Sequence, residues 1–236
     1  MAAAAREIRD GEVVFVGMRL PLLGFGLAKS THAPNAIGLF ENGVIRDRPA
    51  EAFIHTMGDP PNISGAIACL GLNDVMSLLQ QGRVDVGFIG GAEIDPAGNL
   101  NTTLVADGSK RVRLPGSGGG QDIASLAQRT VLIMEHESRR FKKQVHYITS
   151  PGHFEGRRRG GPATLITTLG IFDLRDGFRV RSLHPGATLE EVREATGFPI
   201  AHPDPVPVTE APSAAELAYI RRADPEGFWT GDTMST

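Results

Sequence analysis

The chain has 236 residues, 41% of them hydrophobic and 22% charged, with 24 lysines and arginines against 27 aspartates and glutamates. That balance excludes a disordered chain, and a net charge of −3 gives no global reason to expect nucleic-acid binding. No apolar run approaches the roughly 20 residues of a transmembrane helix. The single cysteine, Cys69, cannot form an internal disulfide, so a cytoplasmic setting with no membrane association is expected.

Met1 and its four following alanines are interrupted at Arg6 and Glu7, which leaves too short an apolar region for a signal peptide. Val13-Val14-Phe15-Val16-Gly17 reads as a buried strand and Leu22 through Lys29 as the helix after it. A short apolar run, Ile37-Gly38-Leu39-Phe40, carries Glu41 at its end, Asn42-Gly43 turns the chain, and Val44-Ile45 resumes it. A glutamate at the C-terminal end of a strand is well sited for chemistry, although one exposed Glu in a strand-turn-strand is commonplace. Asn73 through Leu79 predicts a helix with Asn73 as N-cap and Gly82 as its stop, and Val84 through Gly91 a strong strand. Val131–Met134, Val145–Ile148 and Ala163–Thr167 supply further strands. Ala201 to Pro212 is proline-rich and reads as an extended arm, after which Ser213 caps a last helix through Arg222. Strands alternating with helices and glycine turns predict an α/β fold: an open, mostly parallel sheet with helices on both faces, in a single domain over 1–236 whose segment 201–236 is the arm and terminal helix.

Several sharper motifs fail on inspection. Gly116-Ser117-Gly118-Gly119-Gly120-Gln121 starts like a dinucleotide fingerprint but has Gln121 in its sixth position. Gly24 to Ser30 ends like a phosphate-binding loop, with Ala28 where glycine is required. His136-Glu137 opens a zinc-protease pattern that Arg140 breaks. The seven histidines show no other ligand spacing, so no metal site is expected. What remains is two glycine-rich turns, Gly90 to Thr103 and Arg113 to Asp122. Consecutive glycines let backbone amides converge on a phosphate or an oxyanion; tight turns between buried strands are the plain alternative for either run alone.

Glu41-Asn42-Gly43, Gly90-Gly91-Ala92-Glu93-Ile94-Asp95 with Gly98-Asn99 and Asn101, Gly116-Ser117-Gly118-Gly119 with Asp122-Ile123-Ala124, His136 with Arg139-Arg140-Phe141, and Thr149-Ser150-Pro151-Gly152 occur in that order. Together they resemble the β subunit of class I CoA-transferases, most closely the glutaconate CoA-transferase B-subunit type, from about Ile8 to the final helix. The resemblance implies that Glu41 is the covalent nucleophile. Its carboxylate would attack an acyl-CoA thioester, and a glutamyl-CoA thioester would form on the way to the acceptor acid. It implies Gly118 and Gly119 as the oxyanion or CoA-binding backbone, and Asn101 as a group orienting the carboxylate or carbonyl.

Coenzyme A is then substrate and product, with no permanently bound cofactor. The expected partner is an α subunit in an α2β2 assembly, since 236 residues hold only the β half. The acceptor that the resemblance implies is a mono- or dicarboxylic or 3-oxo acid. Relatives that hydrolyse or decarboxylate CoA thioesters depart at the position of Glu41, so its presence favours transfer. A non-catalytic scaffolding subunit and a nucleotide-binding module are the alternatives from other classes. Arg139-Arg140 with Lys142-Lys143, and Arg157-Arg158-Arg159, read either as phosphate contacts or as solvated surface.

Overall fold

The computed structural model describes residues 1–108, 110–157 and 160–231, so Arg158 and Arg159 lie outside the described residues. The chain divides into two compact units, residues 1–88 with 212 onward, and residues 89–211. Its α/β fold is the one the alternation of strands and helices predicts.

The first unit begins with α1 (Ala2–Arg6), whose Ala2, Ala4 and Ala5 are buried; the alanine run is a packing face. Next come β1 (Val13–Val16), α2 (Leu20–Ser30), β2 (Ile37–Phe40), β3 (Val44–Arg46), α3 (Pro60–Ile63), β4 (Ala68–Cys69), α4 (Leu72–Gln80) and β5 (Val86–Ile89). Strand order is β5-β1-β2-β3-β4. β1 pairs in parallel with both β2 and β5, as strands joined by helical crossovers do. The chain then folds back antiparallel through β3 and β4. The nine residues from Pro21 to Lys29 of α2 are all buried, so this helix is apolar all round rather than amphipathic. The N-cap of α4 is Gly71, not Asn73: the Asp74 side chain accepts from the Gly71 amide at 2.9 Å and closes the first turn from inside. Gly82 does end the helix, with φ +71 and its amide on Leu79 O.

The second unit contains the short hairpin β6 (Glu93–Ile94) and β7 (Leu100–Asn101), and the hairpin β8 (Leu104–Asp107) and β9 (Lys110–Arg113). After these come α5 (Gly120–Leu126), β10 (Arg129–Ile133), β11 (Pro162–Ile166), β12 (Gly170–Asp173), β13 (Arg179–Leu183) and α6 (Leu189–Glu194). β10 and β11 are parallel; β11, β12 and β13 form an antiparallel meander. Ile94, Leu100, Leu132, Phe141, Leu165, Phe172, Phe178 and Phe198 share one core cluster. Each ring contributes roughly 1.5–3 kcal/mol by leaving water. The segment Val145–Ile148 is irregular, not a strand, because the His146 amide is spent on the Glu93 carboxylate and Tyr147 and Ile148 lie exposed. The proline-rich arm runs along β13: Leu183 N donates to Pro207 O and Thr209 N to Leu183 O.

The last helix, α7 (Ala214–Ala223), belongs to the first unit. Ser213 caps it as expected, reciprocally with Glu216. Arg6 grips the Glu216 carboxylate with two hydrogen bonds of 2.9 and 2.7 Å, holding α7 to the chain's first turn. That clamp pulls the Glu216 carboxyl down to about 2.

Candidate active site

Glu41 sits in the reversal between β2 and β3. Phe40 before it and Val44 after it are buried, and Glu41 itself is partly exposed. The turn is fixed from three directions. Gly43 N donates to Phe40 O at 2.9 Å, and Leu70 N donates to Gly43 O at 2.9 Å. The Asn42 amide donates to Met57 O at 2.8 Å and accepts from Val44 N at 3.3 Å. Gly43 has φ +100, and a Cβ there would stand 1.9 Å from Leu70 O, so the Glu-Asn-Gly order answers a close backbone crossing. Behind the hairpin Arg46 is 1% exposed, and its guanidinium donates to the carbonyls of Arg48, Pro49, Pro61, Asn62 and Ser64.

Asn101, Gly118 and Gly119 lie in the second unit. Gly118 has φ +49, whereas Gly119 is right-handed at φ −77, ψ −3 and forms the N-cap of α5. A left-handed residue beside a right-handed one is the alternation from which anion-binding nests are made. Gly118 is exposed and Gly119 buried. Gly120 N donates to Ser117 O at 2.9 Å and Gln121 N to Ser117 Oγ at 3.1 Å, so the run is a defined turn.

Asn101 is wholly buried, and its amide is saturated within the chain. Nδ2 donates to Glu93 Oε2 and to Leu104 O, both at 2.7 Å, while Oδ1 accepts from the amides of Thr103 and Leu104. That leaves no hydrogen-bonding capacity for a substrate carbonyl, and the geometry gives Asn101 the task of holding the β7–β8 corner. Its partner Glu93, 1% exposed, also accepts from His146 N at 3.0 Å and His146 Nδ1 at 2.6 Å. Sequence reasoning misses this buried Glu93–His146 pair; its signal is a carboxylate inside an otherwise apolar turn motif. The remaining motif residues interlock. Asn99 Nδ2 donates to Asp95, Gly152 N donates to Asn99 Oδ1, and Thr149 Oγ1 accepts from Thr102 N. Thr102 in turn holds the glycine run, with Thr102 Oγ1 on Gly116 O at 2.7 Å and Gly116 N on Thr102 O at 2.8 Å.

Of the basic residues, Arg139 pairs with Glu137, and Arg140 with Glu135 and Glu137. Arg157 donates to the carbonyls of Pro151, Gly152 and Ala124. His136 is buried, stacked on Phe141 at 3.9 Å, and bonded through its two ring nitrogens to Thr167 and Thr196, a core histidine whose burial pushes it down to about 4. Among the described residues, no group of three or more His, Cys, Asp or Glu could hold a metal ion, and no helix is long and apolar enough to cross a membrane.

The sequence model of the coenzyme A transferase family matches residues 1–195. The chain belongs to that family. It is 38% identical over 232 residues to the B-subunit of 3-oxoadipate CoA-transferase from Pseudomonas knackmussii, covering 93% of this chain and 89% of that protein. Its fold superposes on the crystal structure of glutaconate coenzyme A-transferase from Acidaminococcus fermentans with a TM-score of 0.88 at 30% identity, over 98% of this chain and 95% of that one. The structure of the decarboxylase AibA/AibB is also similar, with a TM-score of 0.85 at 31% identity, over 96% of this chain and 93% of that one. Within the coenzyme A transferase family, then, this chain is of the B-subunit type. The ordered motifs from Glu41 to Gly152 that suggest the family are, in large part, the residues that bond to one another above.

Proposed function

We propose that this chain is the β subunit of a CoA-transferase that moves CoA from an acyl-CoA thioester to a free mono- or dicarboxylic or 3-oxo acid, with Glu41 as nucleophile and an α subunit as partner in an α2β2 assembly. The observation that carries the reading is a glutamate held on a strand-end turn fixed from three sides in a chain of this family. A Glu41 oxygen attacks the thioester carbonyl; the C–S bond breaks, giving an acyl-glutamyl anhydride and CoA thiolate. The thiolate attacks the glutamyl carbonyl of the anhydride, releasing the donor acid and leaving glutamyl-CoA. The acceptor carboxylate attacks that thioester to give a second anhydride, and the returning thiolate takes its acyl group and frees Glu41. Each addition places negative charge on a carbonyl oxygen, for which the backbone about Gly118 and Gly119 is the proposed donor set. Asn101 acts in this scheme through the β7–β8 corner and Glu93, not by touching substrate.

Incubating the complex of this chain and its α partner with acyl-CoA, then hydroxylamine, tests the reading. A hydroxamate on the Glu41 peptide by mass spectrometry is expected, and labelling elsewhere or nowhere would overturn it. The similarity to AibA/AibB supports decarboxylation as a second reading, which release of CO2 from a glutaconyl-type ester, an α,β-unsaturated acyl-CoA with a carboxylate on its γ carbon, would establish. The same complex should be recovered from the cytoplasm.

A further inference from the structure

β9, with the sequence Lys110-Arg111-Val112-Arg113, is exposed along its whole length. Strand alternation puts Arg111 and Arg113 on one face, roughly 7 Å apart, because two residues of extended chain advance about that far. Their antiparallel partners are Ala106, opposite Arg111, and Leu104, opposite Arg113, so neither cross-strand position offers a carboxylate. Neither arginine makes a hydrogen bond or ion pair among the described residues. Four other arginines of this unit are paired, Arg139 and Arg140 with glutamates, Arg157 with carbonyls and Arg181 with Asp173. Two guanidinium groups side by side repel each other, and among the described residues no carboxylate pairs with either. An anion between them would relieve both.

The position of this face is also fixed. β9 leads straight into the glycine turn, and its base is tied there: Leu114 N donates to Thr103 O at 2.9 Å, and Gly116 and Thr102 exchange the two hydrogen bonds described above. The arginine pair therefore stands a few residues along the chain from the turn proposed to meet the thioester.

We propose that Arg111 and Arg113 bind the phosphates at the nucleotide end of coenzyme A. This rests on the CoA-transferase reading, in which the thioester end meets the glycine turn and the phosphates lie at the far end of the pantetheine arm. A guanidinium presents a planar fork of N–H donors that matches phosphate oxygens two at a time, and two forks a strand pitch apart suit a ligand with separate pyrophosphate and ribose phosphate groups.

The test uses the complex of this chain with its α partner and measures affinity for CoA and for pantetheine, which keeps the thiol arm and lacks the phosphates, by calorimetry. R111A/R113A should weaken CoA binding tenfold or more, flatten its dependence on salt, and leave pantetheine affinity unchanged. In turnover, the same variant should raise KM for acyl-CoA by a similar factor with kcat retained and with acyl-pantetheine turnover unaltered. R111K/R113K should recover part of the loss, since charge returns without the fork. Equal CoA affinity in wild type and R111A/R113A would overturn the proposal, as would parallel losses for CoA and pantetheine, or no CoA binding by the wild-type complex. Failure of the transferase reading looks different: CoA is bound and released by the arginine variants as stated, yet no acyl transfer occurs.

Discussion

Replacing Gly43 by alanine tests how tightly the Glu41 turn is built. At φ +100 an L-residue lies outside the regions open to it, a strain of roughly 1–3 kcal/mol. The new Cβ would stand 1.9 Å from Leu70 O, against an ordinary contact of 3.4 Å or more, so one strand must retreat by about 1.5 Å. That movement sacrifices the bond from Leu70 N to Gly43 O, at about 1 kcal/mol. Together the losses amount to about 2–4 kcal/mol, which for a chain of this size lowers Tm by roughly 5–15 °C. Gly11→Ala is the control: Gly11 has φ +80, but nothing lies within 4 Å of its added Cβ, so it meets the backbone strain without the collision. Thermal and urea unfolding of both variants beside wild type should show Gly43→Ala the more damaging by at least about 1 kcal/mol. Because the retreat displaces Glu41, kcat/KM measured well below Tm should also fall, by up to about 100-fold for a 1 Å misplacement. Equal destabilisation by the two substitutions would refute the close crossing of Gly43 and Leu70.

Glu41→Gln should lower acyl transfer by at least about 10³-fold while leaving Tm within a few degrees, since it removes the covalent route and spares the turn's backbone bonds; near-normal transfer would eliminate Glu41 as nucleophile. Gly118→Ala should cost more in both stability and turnover than Gly119→Ala, because φ +49 resists a side chain and φ −77 accepts one, a comparison read by unfolding midpoints and kcat. His136, pushed down to about 4 by burial, is held neutral in the folded chain. Its contribution is complete above the unfolded value near 6.5 and is lost as pH falls from there toward 4, by up to about 3 kcal/mol, because the unfolded state takes up the proton first. Urea midpoints across that range should slope downward in wild type and less so in His136→Gln; parallel slopes would place the pH dependence elsewhere.

The strands most legible in the sequence are those in parallel pairings: Val13–Val16, Ile37–Phe40 and Val86–Ile89, with the Val131 and Ala163 strands, are largely apolar, and such hydrophobicity needs no register to be recognised. β8 and β9 are not legible, because every residue of Lys-Arg-Val-Arg is exposed and Val112, opposite Val105, is the one apolar residue of its strand. Val145–Ile148 looks like a strand from its aromatic and β-branched residues, but half of that apolar surface is exposed. The sequence misplaces the α4 boundary because Asn73 is a good N-cap residue, whereas the carboxylate of Asp74 serves an ordinary glycine amide one residue before the helix. Thr188 and Glu191 form a reciprocal cap that announces α6, a signal the periodicity of the surrounding residues does not reinforce. Asn101 illustrates the limit at the site: a polar residue in a glycine-rich turn looks ligand-facing on paper, and only the positions of Glu93 and Leu104 show that its amide is already spent.

The Arg46 guanidinium reaches five carbonyl oxygens and no side chain of the segment from Arg48 to Ser64. A contact with main-chain oxygens is indifferent to sequence. That hold adds to the bonds the segment makes with its own side chains, His55 and Thr56 amides on Asp59 and Asn62 Nδ2 on Met57 O, and it ties the two ends of the segment to one residue of the neighbouring strand. Lysine could not substitute, having three donors on a single point and no fork to span carbonyls from both ends of the segment. Along the stretch that begins five residues beyond Gly43, exchange of an exposed side chain such as Ala52 therefore leaves this hold in place, because each of its five bonds ends on a main-chain oxygen.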